Sequence, residues 1–241
     1  MDTFDLSDAL GSSASRRLAA RQPLVDDVHD VLVDMLMNHT LPPGARLNID
    51  ALARTLGVSP TPVREALARA EASGLVVKER NRGYAVAPLI GLDELHALMD
   101  FRLLVEPHGA AQAAERVDDE QAQQLLDYAH SGGSGADDPA ANRLDMLYDA
   151  HFHDMIAGLS GNPWLRESLS RLRSHLHMYR LYHHAGQAAA TKPEHIQIAE
   201  AIVARDPDEA RAAMTRHLQT AMNRIDEVFA SGRAGDPRTA K

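Results

Sequence analysis

The sequence predicts a mainly α protein in two parts: a short helix-helix-helix-hairpin module, then an all-α antiparallel bundle of about six helices. Three observations predict it. Aromatic residues make up only 4% of the 241 residues while Ala and Leu dominate, a bias toward helix over sheet. From Leu92 onward apolar residues recur at helical spacing. The only strand-like runs are two short neighbours, "LVVKE" at 75–79 and "YAVA" at 84–87. The boundaries that follow are a tail over 1–22, the small module over 23–89, the bundle over 90–231 and a tail over 232–241. Both tails are rich in Ser, Ala, Gly and charge, a composition that favours disorder.

The formal charge of −9 is unevenly distributed. Between Gly44 and Gly83 lie Arg46, Arg54, Arg64, Arg69, Lys78, Arg80 and Arg82 against Asp50, Glu65, Glu71 and Glu79, a balance of +3, so the remainder carries −12. Surface attraction is decided within a Debye length of ~8 Å, so an acidic total does not exclude nucleic acid as a partner of the basic module. There is no cysteine, which excludes disulfides and thiolate metal sites and fits a reducing cytoplasm. The N-terminus lacks an apolar signal segment, and no apolar run approaches the ~20 residues of a membrane helix. The expectation is a cytoplasmic protein with no membrane partner.

In the small module, Leu24, Val28, Val31, Leu32, Met35 and Leu36 share one helical face. "LPPG" breaks that helix. "NIDALARTLG" reads as a short second helix ended by Gly57, and a third starts near Thr61, with Pro62 at its first position and Val63, Leu67 and Ala70 as its stripe. The two strands follow, joined by "RNRG". This order is that of a winged helix-turn-helix. In such a pair the second helix enters the major groove by its N-terminal end. Ser59, Thr61 and Arg64 lie there, with backbone N–H groups expected to face phosphate, and the wing offers Arg80, Arg82 and Gly83. The alternative is that Arg64 and Arg69 simply form a solvated face.

"LPPGARLN…LARTLGVSPTPVREALARAEASGLV…RNRGYAV" closely resembles the DNA-binding domain of the GntR family of bacterial regulators, over about residues 24–88. That family usually carries an arginine just before the Thr-Pro pair, where it reads a guanine. Pro60 stands there in this chain, which leaves Arg64 as the better base-reading candidate.

In the bundle, helices are expected over 92–116, from Asp118 to about 130, over about 140–160, from Asn162-Pro163, from a capping box at Thr191 and Glu194, and from Asp206-Pro207 to about 231. "SGGSGADDP" and "AGQAAATKP" read as breaks. Asp149 and His153 are i, i+4, on a face shared with Met146 and Ile156. His195 is in line with Ala199 and Ile202, and His217 with Met214 and Ala221. The last two helices turn at about Arg205-Asp206, so both histidines sit ~16 Å from the turn at ~1.5 Å per residue, at one height. Each histidine alone reads as a hydrogen-bonded core residue. Together, three imidazoles and a carboxylate suit Zn²⁺, with Ni²⁺ or another divalent ion as alternatives. His151, His175, His177, His183 and His184 have no such geometric support and read as surface or rim residues.

This half is similar to the FCD ligand-binding domain of the FadR subfamily, on "FRLLVEP" at 101–107, "DAHFH" at 149–153, "EH" at 194–195 and "RH" at 216–217. The resemblance implies that Asp149, His153, His195 and His217 hold the metal. It also implies that a small organic acid binds beside it, with Arg102 taking the carboxylate. A plain Arg102–Glu106 ion pair at i, i+4 is the competing reading.

The functional expectation is a metabolite-responsive regulator, a repressor, that binds a palindromic operator in double-stranded DNA as a homodimer. A metal-dependent enzyme using the Asp/His₃ set is the alternative, weakened by the lack of an HExxH motif. A purely structural metal is a third reading.

Overall fold

The computed structural model describes residues 12–37, 39–80, 82–132, 139–172, 180 and 188–230. The chain divides between Pro88 and Leu89 into two compact units. Among the described residues no helix is long and apolar enough to cross a membrane.

The first unit contains α1 (Ser12–Met37), β1 (Arg46–Leu47), α2 (Ile49–Leu56), α3 (Pro60–Ala72), β2 (Val76–Glu79) and β3 (Gly83–Val86). α1 starts well before Leu24. Ala, Arg and Leu of "SSASRRLAAR" are strong helix formers, and composition alone did not separate them from a tail. The buried face of α1 is Val25, Val28, Leu32, Leu36 and Met37, while Leu24 and Val31 are exposed. The face is therefore turned slightly from the expected one, because it follows what α3 presents. Val63, Ala66, Leu67 and Ala70 of α3 are fully buried. Each Val or Leu so buried is worth ~1.5–3 kcal/mol.

Asn48 caps α2 by accepting from the Ala51 N–H at 2.9 Å. Gly57 closes the helix at φ 68°, a left-handed conformation in which glycine avoids the Cβ clash. β1, missed in the sequence, pairs antiparallel with β3, which also pairs with β2, giving the sheet order β1-β3-β2. Two residues are too few to show an alternating pattern.

The second unit contains α4 (Leu92–Arg116), α5 (Asp119–Ser131), α6 (Pro139–Leu159), α7 (Pro163–Leu172), α8 (Ala188–Val203) and α9 (Pro207–Ala230). α4 lies along α9 and also touches α6 and α8, while α5 packs on α8. Ala110, Ala111, Ala113 and Ala114 keep the α4 side of this core small, and Phe152, Ile198, Ile202, Met214 and Leu218 fill it. Pro107 sits inside α4 without ending it.

Asp118 and Gln121 form a reciprocal capping box at 2.8 and 3.2 Å. Asn162 accepts from the Trp164 and Leu165 N–H groups, and Asp206 from that of Glu209. The expected capping box at Thr191 and Glu194 does not start α8. Ala188, Ala189 and Ala190 extend the helix upstream, so both residues lie inside it. The expected loop over "SGGSGADDP", apart from Ser131, Gly132 and Pro139, lies outside the described residues.

Candidate functional site

In the first unit, Ser59 is the exposed N-cap residue of α3 and makes no side-chain capping bond. Pro60, not Pro62, takes the first helical position. Proline has no N–H, so of the first three helical positions only Thr61 carries a donor. The expected set of free amides for phosphate is therefore thin. The hydroxyls of Ser59 and Thr61 add two further polar groups at that end.

Arg64 is exposed and makes no ion pair among the described residues, whereas Arg69 is tied to Asp26 of α1 at 2.5 Å. The two arginines thus differ: one braces the module and the other projects from it. In the wing Arg80, Arg82 and Gly83 are exposed. Gly83 has φ 86° and open space where a Cβ would stand, so the backbone there presents no side chain to an approaching surface. Lys78 lies over the ring of its cross-strand partner Tyr84, 5.8 Å from the centroid.

In the second unit, Asp149 and His153 of α6, His195 of α8 and His217 of α9 converge. One ligand atom from each lies within 4.8 Å of the others. His195 is fully buried, His217 is 3% exposed and His153 is 9% exposed. Asp149 Oδ1 stands 3.4 Å from His195 Nε2 and 3.7 Å from His153 Nε2, and the Nε2 atoms of His153 and His217 are 3.2 Å apart. Ligand atoms at ~2.0–2.2 Å from one divalent ion are themselves separated by about 3.0–3.5 Å, so the 3.2 and 3.4 Å edges fit and the 3.7 Å edge is slightly long.

Two carboxylates missed in the sequence complete the arrangement. Glu194 accepts from His217 Nδ1 at 2.7 Å, and Arg224 of α9 holds Glu194 through Nη1 at 2.7 Å and Nη2 at 3.2 Å. Glu106 of α4 stands 2.6 Å from His153 Nδ1, in a contact bent away from the ring N–H direction. Arg102 binds Glu106 through both Nε and Nη2. Glu194 directly precedes His195, so the helix turns the two side chains ~100° apart. Glu194 thus turns from His195, but toward His217. Arg224 follows His217 by seven residues on the same helical face, a signal that spacing could have given.

His195 is held differently. Its ring stacks on Phe152 at 4.2 Å and 18°, and neither ring nitrogen makes an aligned hydrogen bond. A buried polar nitrogen without a partner costs ~1–3 kcal/mol, and a cation accepting its lone pair removes that cost. The same applies to the facing Nε2 atoms. With each Nδ1–H given to a carboxylate, two lone pairs point at each other across 3.2 Å unless a proton or a cation lies between them.

The electrostatics agree. Burial works to raise the pKa of Asp149, but the His195 contact and the charges of His153, His195 and Arg102 hold it well below the usual carboxylate range. Burial likewise opposes, and Arg102 and His153 outweigh it, at Glu106. For Glu194, burial is outweighed by His217 and Arg224, bringing it down to about 2. Burial lowers His217 to about 4 against the pull of Glu194, and burial lowers His195 too. Carboxylates kept charged, and the His195 and His217 imidazoles kept neutral, are the forms that bind metal.

The cluster opens on a cavity of about 330 Å³ lined by Arg102, Glu106, Asp149, His153, Asp154 and Ser170, among others. Arg102 is thus both the ion-pair partner of Glu106 and part of the cavity wall. His151 is exposed at the same cavity, while His175, His177, His183 and His184 lie outside the described residues.

Residues 24–86 match the gntR family of bacterial regulatory proteins, and residues 97–220 match the FCD domain. The chain is 30% identical over 241 residues to the HTH-type transcriptional repressor NanR of Klebsiella aerogenes, covering 90% of each chain. It is 24% identical to YdhC of Bacillus subtilis, an uncharacterized HTH-type transcriptional regulator, covering 85% of this chain and 92% of that one. Among solved structures, E. coli McbR/YncC superposes with a TM-score of 0.59 at 23% identity over 86% of this chain and 98% of that one, a likeness of fold. These relatives are regulators rather than enzymes. The chain belongs to the GntR family of bacterial transcriptional regulators, in the FadR-like branch that carries a C-terminal FCD domain.

Proposed function

We propose that this regulator is a metal-dependent sensor of a small organic acid, acting as a homodimeric repressor on a palindromic operator. The reading is carried by one observation: four ligand atoms within 4.8 Å of one another at the edge of a 330 Å³ cavity that Arg102 also lines. Such a volume is at the lower end for small-molecule sites and suits a compact ligand. Asp149, His153, His195 and His217 would hold the ion, with Zn²⁺ the best match to the nitrogen-rich set and Ni²⁺ or another divalent ion next. The bound ion offers a Lewis-acidic position for a carboxylate. Arg102 orients that carboxylate from the cavity wall, and the buried imidazoles exclude water behind it.

On the DNA side, Arg64 is the base-reading residue. Ser59 and Thr61 meet phosphate through their hydroxyls, and Arg80, Arg82 and the bare backbone at Gly83 form the wing contact. The repressor assignment draws on NanR, which is described as a repressor. The effector acts by its difference in affinity between the two placements of the DNA-reading modules in a dimer. Such a protein works beside the chromosome in the cytoplasm.

The test is selection of genomic fragments by the purified protein at near-physiological salt, repeated with acetate, succinate and citrate in the presence and absence of Zn²⁺. An enriched palindrome released by one acid only when the protein is zinc-loaded is the expected result. No enrichment by zinc-loaded dimer refutes operator recognition. Release that ignores the metal refutes the sensor site.

A further inference from the structure

The two glutamates behind the histidines are matched, and the match points to a shared role. On one side Arg102 and Glu106 of α4 back His153 of α6. On the other Arg224 of α9 and Glu194 of α8 back His217 of α9. Each row runs arginine, glutamate, imidazole, and both rows end at Nε2 atoms 3.2 Å apart. Arg102 and Glu106 are buried to 3% and 4% exposure, and Glu194 and Arg224 to 22% and 16%. Charged groups taken this far out of water stay charged only when paired, so each row is self-supporting.

We infer that Glu106 and Glu194 are positioning residues of the metal centre: each fixes the tautomer of its histidine with Nδ1 protonated and Nε2 bare, and each is clamped in place by its arginine. This inference rests on the metal site proposed above. A neutral imidazole free to choose would put its proton on either nitrogen. A carboxylate at Nδ1 decides the choice, turns the ring and makes Nε2 more electron-rich. The third ligand, His195, has no such carboxylate and is placed by its stack on Phe152. The centre is therefore asymmetric, with two strengthened nitrogens and one ordinary nitrogen. His217 is the better-formed case, since its contact is aligned and that of His153 is bent.

The experiment uses the full-length protein with Co²⁺ as the metal probe, and nitrogen-15 NMR of the histidine rings in the metal-free form. In wild type, His217 should carry its proton on Nδ1. Glu194→Gln should shift population toward the Nε2-protonated form and weaken Co²⁺ binding about 10–100-fold, with an altered visible spectrum. Glu106→Gln should do the same for His153. Arg224→Lys, which keeps a charge near Glu194 but loses the fork, should lie between wild type and Glu194→Gln, and it decides the matter if the glutamate variants do not fold.

Unchanged tautomer and Co²⁺ affinity within twofold in the folded variants would overturn the inference. If wild type itself fails to bind Co²⁺, Zn²⁺ or Ni²⁺, the metal site proposed above falls, and this inference falls with it. Metal binding retained by all the variants removes the positioning role alone.

Discussion

Removing the metal should destabilise the second unit by an amount that the structure helps to set. Three imidazoles are buried at 0, 3 and 9% exposure, and neither nitrogen of His195 has an aligned hydrogen-bond partner. At a free metal concentration 100 times the dissociation constant, binding to the folded state alone adds ~2.7 kcal/mol. For a unit of this size ~1 kcal/mol moves the melting temperature by ~2–4 °C, so stripping the ion should lower it by about 5–11 °C. The assay is calorimetry on protein saturated with Zn²⁺, then treated with a chelator and desalted, then reloaded. The drop should reverse on reloading. His195→Ala combined with His217→Ala should abolish the response to metal. A melting temperature that stays within 1 °C through stripping and reloading, with no saturable binding, would refute the metal assignment for these four residues.

Other expectations are independent of that one. Arg64→Ala should weaken operator binding by ~1–3 kcal/mol, about 5–150-fold in a filter or fluorescence assay, while metal content and melting temperature stay unchanged. Asp118→Ala removes one half of the capping box that opens α5 and should cost ~1 kcal/mol in a denaturant titration, with metal affinity untouched. The metal-free protein should lose stability as the pH falls from ~6.5 toward about 4. His217 stays neutral when folded down to about 4, whereas the unfolded chain takes the proton near 6.5, so acid favours unfolding. A gap of that size is worth about 3 kcal/mol. Urea midpoints that are flat between pH 7 and pH 5 would contradict it.

The sequence was most informative where a regular period carried the message. Helical spacing placed Asp149, His153, His195 and His217 on inward faces, and counting from the Arg205-Asp206 turn put the last two at one height. The four converge because a helix is a ruler. Reading failed where the decisive partner was distant or the element too short. β1 has two residues and exists only because β3 lies beside it. The start of α1 was hidden because Ala, Ser and Arg serve both tails and helices. Glu194 looked like a cap because its spacing from Thr191 fits one, yet the guanidinium of Arg224 and the imidazole of His217 stabilise its charge far more than a helix end could. The prolines at 60 and 62 were visible, but their cost to the supply of amides at α3 became clear only once Pro60 stood at the first helical position.

The charges around the centre also specify what it can accept. Asp149, Glu106 and Glu194 contribute three negative charges and Arg102 and Arg224 two positive ones, so the metal-free site stands at −1 and repels an anion. A divalent ion turns the same site to +1. At ~4 Å and an effective dielectric constant of ~20, one unit charge is worth about 4 kcal/mol. A change of this kind alters carboxylate affinity by about a thousandfold or more. Acid binding should therefore depend on the ion rather than merely be improved by it, so that the protein responds only when metal and acid are present together. Calorimetric titration of the zinc-loaded and metal-free proteins with the acid that releases the operator checks this. Equal affinity in the two forms would mean that the carboxylate is held elsewhere, with Arg102 serving only to brace Glu106.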